Sequence, residues 1–166
     1  SITRGFSVEA EQNFTSFPFS YSVGFTLLDV FTEENSVRQA LAYAPDYLGN
    51  FGASYQIRRT AMTLEYNGNL VGPKRMPDSY VEFGRDRWSP AFATHDLRIS
   101  KEFSSVNAPG GVGFEVYASV ENLFDFTQGS PLVDAGNPFG PDFDTIYTWG
   151  PVVGRTVSFG ALLNLR

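Results

Sequence analysis

The chain contains no cysteine and one histidine. Disulfide scaffolds and thiolate metal sites are therefore excluded, and imidazole-rich metal sites are not expected. Charged residues make up only 18%, against about 25% in an average soluble chain. The net charge of −6 would repel the phosphates of a nucleic acid, so no such partner is expected. There is no run of about 18 apolar residues, the length of a membrane-spanning helix. That absence leaves a membrane barrel open, because its strands are individually weak signals. No signal-peptide pattern opens the chain at Ser1, as expected of a mature protein or a fragment.

What the chain has instead is 16 Phe, 8 Tyr and 16 Gly in 166 residues. Many aromatics, many glycines and few charges suit short strands and tight turns, and suit helices poorly. Toward the C-terminus, Phe114, Val116, Ala118, Val120 and Phe124 share one parity, and Glu115, Ser119, Glu121 and Asp125 share the other. Side chains on a strand point alternately to opposite faces, so such a strand has one greasy and one wet face. The pattern predicts seven strands, at about residues 4–14, 19–31, 47–57, 60–71, 91–103, 112–125 and 151–165. Residues 32–46 read as a longer loop with room for a helical turn around 37–42.

The connections alternate. Short turns are expected at 15–18, 58–59 and 104–111, and long loops at 32–46, 72–90 and 126–150. Short turns at one end and long loops at the other are the two ends of an outer-membrane barrel. The competing reading is a soluble antiparallel barrel with its apolar faces inward. In the membrane reading the last strand runs toward the short-turn side, so the C-terminus is expected in the periplasm and the long loops outside. Seven strands is an odd number, and about eight are needed to close even a small barrel. The chain is therefore expected not to close alone.

Several segments resemble one family. Pro45–Tyr55 resembles a late barrel strand of the TonB-dependent outer-membrane transporters, and His95–Phe103 their next downward strand. Val120-Glu121-Asn122-Leu123-Phe124-Asp125 is similar to that family's Asn-Leu-Phe-Asp signature, and Gly154–Gly160 to its final strand. The family's chains usually end on an aromatic residue, whereas this one ends Leu165-Arg166. The resemblance implies the last seven strands of an all-β, antiparallel transmembrane barrel of about 22 strands around a plug, with the plug domain lying outside this chain. It implies uptake of a scarce solute (glycan, peptide, metal chelate or vitamin) across the outer membrane of a Gram-negative bacterium. The partners it implies are the rest of the barrel, its plug, the TonB complex and membrane lipid. The long loops and acidic character look like the Bacteroidota type, many of which work with a surface lipoprotein lid. Neither catalysis nor a cofactor is implied. A structural or assembly subunit without transport, and a soluble binding module, are the alternatives.

Polar parity assigns Glu9, Glu11, Glu65, Asp96, Arg98, Glu102, Glu115 and Glu121 to the barrel interior. They would form a wall facing plug or solute, or an ion-pair network that solvates the interior, with Arg98 beside Glu65 or Glu115. Arg4, Lys101 and Arg155 have lipid-facing parity but fall near interfaces, where a charge costs roughly 0–1 kcal/mol. His95 shares that parity, away from the inward Ser100 and Ser119, so no hydrolytic pair is expected. Candidates for solute contact are Arg85 and Trp88 in one long loop, and Gln128, Asp134, Asn137, Phe139, Asp142 and Tyr147 in another. Asp134, Asp142 and Asp144 offer oxygen ligands for calcium but lack a recognisable spacing. Tyr47, Tyr66, Phe124 and Trp149 are expected in aromatic belts.

Overall fold

The computed structural model describes residues 1–34, 36–104, 112–145 and 147–165. Its strands are β1 Ile2–Asn13, β2 Phe19–Glu34, β3 Val37–Ala40, β4 Tyr47–Ile57, β5 Met62–Val71, β6 Phe92–Ser104, β7 Val112–Glu121 and β8 Thr156–Leu165. All pair antiparallel in one sheet, ordered β1-β2-β4-β5-β6-β7-β8, with β3 beside the far end of β2. Among the described residues, a six-residue 3-10 helix at Asp78–Phe83 is the helical element. β1 and β8 each have one neighbour, so the sheet is open. The 104–111 turn lies almost wholly outside the described residues.

One expectation is corrected between β2 and β4. Residues 37–42 form no helical turn: β2 runs on to Glu34, and β3 folds back on it with Phe31 opposite Ala40 and Thr32 opposite Gln39. Ser36 takes a left-handed φ of 62°, the backbone a tight hairpin turn needs. Arg38 then pairs with Asp29 across the hairpin and lies 3.8 Å from the centre of the Phe31 ring. Two boundaries also move. The sixth predicted strand leaves the ladder after Glu121 rather than at 125, and the seventh enters it at Thr156 rather than 151.

The registers carry one parity across the sheet. Ala10, Val23, Phe51, Gly68 and His95 form a continuous row on one face, and Glu11, Ser22, Gly52, Asn67 and Asp96 form the next row on the other. Beyond them Leu97, Val120 and Val157 continue the apolar face, and Arg98, Ser119 and Ser158 the polar face. A one-residue slip in any pair would have broken this continuity. Where two rings need room, glycine provides it. A Cβ on Gly68 would collide with the Phe51 ring, and one on Gly160 with the Tyr117 ring, so each ring covers the bare backbone of the next strand.

Among the described residues the sheet has no hydrophobic core beneath either face. Phe6 is 68% exposed and Phe159 79%, and Val8, Val23, Leu64 and Ile99 are exposed with them. The buried apolar side chains (Phe31, Met76, Tyr80, Val133 and Tyr147) all lie at the long-connection end. A contiguous exposed apolar face of this extent is uncommon on a soluble monomer.

Candidate functional site: a polar wall and a loop cap

On the polar face Arg98 stands opposite Glu65 across β5 and β6. Its guanidinium leans toward the short-turn end and lies 4.1 Å from the centre of the Tyr117 ring. From there Nη2 donates to Glu115 Oε1 at 2.8 Å, while Nε stands 3.6 Å from Glu65 Oε2. The expected pairing thus engages both carboxylates, and Tyr117, seated on Gly160, is the platform that aims it. Asp96 accepts a hydrogen bond from the Asn122 backbone N–H at 2.9 Å. Glu9, Glu11 and Glu65 line a polar cleft of about 290 Å³ with Ser22, Ser54 and Asn67.

Replacing Arg98 with Met should leave Glu65 and Glu115 unpaired. Arg98 and Glu65 are more than a third open to solvent (36% and 41%), so screening limits the expected loss to about 1–2 kcal/mol. A denaturant midpoint measures it. A double-mutant cycle with Glu115→Gln should return a coupling energy; additivity would mean the ion pair contributes nothing.

The Asn-Leu-Phe-Asp segment is a corner, not a strand. Asn122 and Asp125 take left-handed φ values of 52° and 57°. Asn122 Oδ1 accepts from Phe126 N–H at 3.0 Å, and its Nδ2 donates to Phe126 O at 2.7 Å. Asp125 accepts from Arg155 N–H at 2.7 Å. The two side chains therefore bind both ends of the 122–155 connection together, which explains why those residue types stand there.

The long connections pack on one another as a cap. Tyr43 N–H donates to Arg75 O at 2.8 Å and Asp46 N–H to Pro73 O at 3.1 Å, tying the first connection to the second. Met76, Tyr80, Val133 and Tyr147 form the cap's core, with Trp149 against it. The Tyr80 and Tyr147 rings meet edge-on at 5.4 Å. Tyr147 Oη donates to Asp86 O at 3.0 Å and Tyr80 Oη to the Asp144 carboxylate at 3.3 Å. Gln128, also buried, donates to Tyr147 O at 3.0 Å and accepts from the N–H groups of Trp149 at 2.7 Å and Gly150 at 2.6 Å. Lys74 Nζ donates to Trp149 O at 2.8 Å.

Burial lowers Lys74 from its ordinary range and raises Tyr147. Burial first, then the Tyr43 hydroxyl and the Asp144 carboxylate, raise Tyr80 far above its usual 10.0. Because the folded value is raised, the neutral phenol's stabilisation is complete below the unfolded value and is lost as pH climbs past it. The cap should loosen above about pH 10. Tyrosine absorbance at 295 nm should show part of the phenolate signal appearing together with loss of the cap. Full ionisation near pH 10 with the cap intact would contradict this.

The solute-contact candidates divide. Gln128 and Tyr147 point into the cap as struts. Arg85 donates to Leu132 O and lies 5.3 Å from the centre of the Tyr147 ring. Arg85 and Tyr147 do line a cleft of about 260 Å³, with Asp86, Ser130 and Trp149. Trp88, Asp134, Asn137, Phe139 and Asp142 lie outside that cleft; Trp88 is exposed, Phe139 almost fully so, and Asp134 occupies a turn at φ 48°. Among the described residues no three acidic or histidine side chains gather as metal ligands.

Trp149 is the aromatic that sequence placed wrongly. It packs on Phe92 at 5.9 Å and Phe126 at 6.3 Å inside the cap, not in a surface belt. Tyr47, Tyr66 and Phe124 do stand on or beside the apolar face, against Phe25, His95 and His95 respectively. His95 shares a 2.8 Å hydrogen bond with the Tyr66 hydroxyl. Glu121 extends the polar face at the corner, opposite Thr156.

No family model matches the chain, and neither a curated protein nor a solved structure matches it.

Proposed function

We propose that this chain is a stretch of wall and the outer loops of an outer-membrane, TonB-dependent transporter that takes up a scarce solute. The observation that carries it is the exposed apolar face bordered by two levels of aromatic rings. Toward the long loops stand Phe25, Tyr47 and Phe124, with Phe51 and Tyr66 nearer mid-strand. Toward the short turns stand Phe14, Phe19, Tyr21, Tyr55, Phe103 and Phe114. Tyr47 and Tyr55 are eight residues apart on β4, which is about 19 Å along the membrane normal at a tilt of about 45°. The apolar band of a membrane barrel is about 25 Å tall.

An open sheet needs further strands to close, so a larger barrel with its plug, reached by TonB from the periplasm, is part of the proposal. The capped loops suit a solute arriving from outside, alone or under a surface lipoprotein.

The native protein, extracted from outer membranes, tests this directly. Its intact mass should be several-fold above 18.4 kDa, and the C-terminal domain of TonB should bind it. A membrane protein of that size without TonB binding would favour the structural-subunit alternative. A mass near 18.4 kDa would overturn the larger barrel. Since the chain has no cysteine, spin labels at Val23 and Ser22 can report each face separately. The label at Val23 should be accessible to oxygen and shielded from a polar nickel chelate, and the label at Ser22 the reverse.

A further inference from the structure

We infer that the apolar face carries a binding site for one anionic glycerophospholipid, built across β5 to β8 near the short turns. The inference rests on the membrane reading above. An apolar groove of about 650 Å³ opens here, lined by Met62, Ile99, Lys101, Val116, Phe159 and Ala161, with Ala118 on its floor. The registers explain its shape. One row runs Ile99, Ala118, Phe159, and the next runs Met62, Lys101, Val116, Ala161. In the first row Ala118 stands between two large side chains, and the second row narrows from Met62 and Lys101 to Val116 and Ala161. The Phe159 ring, 79% exposed, forms a wall rather than filling the depression.

Charge identifies the occupant. Among the described residues, Lys101 is the one charged side chain in the short-turn half of the apolar face. The apolar-face carboxylates, Asp29 and Glu33, lie at the other end on β2. The Lys101 ammonium lies 5.1 Å from the centre of the Phe103 ring, at the groove's short-turn edge. Lys101 is three residues from the end of β6 at Ser104, about 7 Å along the normal at a tilt of about 45°. A lysine stem spans that distance and delivers its charge to the headgroup level. The β4–β5 turn beside Met62 adds the exposed Arg59, whereas Arg58 lines a cleft with the polar-face Ser54 and Thr63. An apolar groove with cations at its headgroup end and no nearby carboxylate fits an acyl chain bearing a phosphodiester. In the proposed orientation this is the periplasmic leaflet.

The test is native mass spectrometry of the mature protein purified from its membrane, titrated with phosphatidylglycerol or phosphatidylcholine. One phosphatidylglycerol should be retained in preference to phosphatidylcholine. Lys101→Met should weaken that retention about fivefold, the worth of one cation at an anionic headgroup. Ala118→Phe should abolish it by filling the floor while leaving the cation in place. Equal retention of the two lipids, or wild-type retention by both variants, would overturn the site. The spin label at Val23 separates the two ideas. A lipid-exposed label without lipid preference rejects only this site, whereas a label shielded from oxygen rejects the membrane reading beneath it.

Discussion

Arginine at Ile99 should cost about 2–4 kcal/mol when the protein is refolded into lipid vesicles. Ile99 lies on β6 four residues from His95, against which Phe124 packs, and four from Phe103. A guanidinium there must leave water for hydrocarbon, and neither aromatic level is near enough for its head to reach. The same substitution at Phe103, at the short-turn border, should cost about 0–1 kcal/mol. Arginine at Ser100, on the polar face, should be near neutral. Burial in a soluble core would also penalise arginine at Ile99, so a second substitution discriminates. Ala118→Leu adds bulk to a face that lipid can accommodate, and it should be tolerated. In a close-packed core it should cost about 1–3 kcal/mol. Denaturant titrations measure each cost, and a uniform penalty along the face would reject the lipid-facing assignment.

Gln128→Leu should open the cap while sparing the sheet. One amide serves three backbone groups, the carbonyl of Tyr147 and the N–H groups of Trp149 and Gly150. Leucine has similar bulk but leaves all three without their partner inside the cap. Each unsatisfied buried group costs about 1–3 kcal/mol, and part of the cap relaxes to recover water, so a net loss of about 3 kcal/mol is expected. The cap holds its own core of Met76, Tyr80, Val133 and Tyr147, separate from the ladders of the sheet. Hydrogen exchange should therefore accelerate across 126–150 and 73–89, and Trp149 emission should shift to the red. Amides of β4 to β7 should keep their protection. Unchanged protection in the loops would reduce Gln128 to a bystander, and loss throughout would make the cap part of one cooperative unit.

The ladder was largely legible in advance because strand alternation is a local property. Once Leu64 and Glu65 alternate, and Ile99 and Arg98 do too, only registers that keep like faces together avoid burying charge against grease. That constraint brought Arg98 to Glu65 directly opposite, and the length of an arginine side chain brought Glu115 within reach. The β2–β3 hairpin escaped detection because four residues are too short a run to show a period, and Ser36 gives no strong turn signal. Arg38 meets Asp29 and Phe31 across it, a contact that no spacing rule announces.

The cap escaped for a different reason. Gln128 and Trp149 are 21 residues apart, and Lys74 meets the Trp149 carbonyl from 75 residues away. Loop residues follow no period, so sequence alone could sort them only by type. It set Tyr147 among solute contacts and Trp149 in a belt, where packing made both part of the cap. The Asn122 and Asp125 pair shows the same division. Their residue types were conspicuous as a motif, yet that they close a 34-residue connection appears only when Phe126 and Arg155 are brought beside them. Side-chain alternation every second residue determines two faces, their polarity and the pairing of neighbouring strands before any folding occurs. Which aromatic rings become core, which become border, and where an apolar groove meets a lysine depend on long-range contacts, and only the tertiary structure decides them.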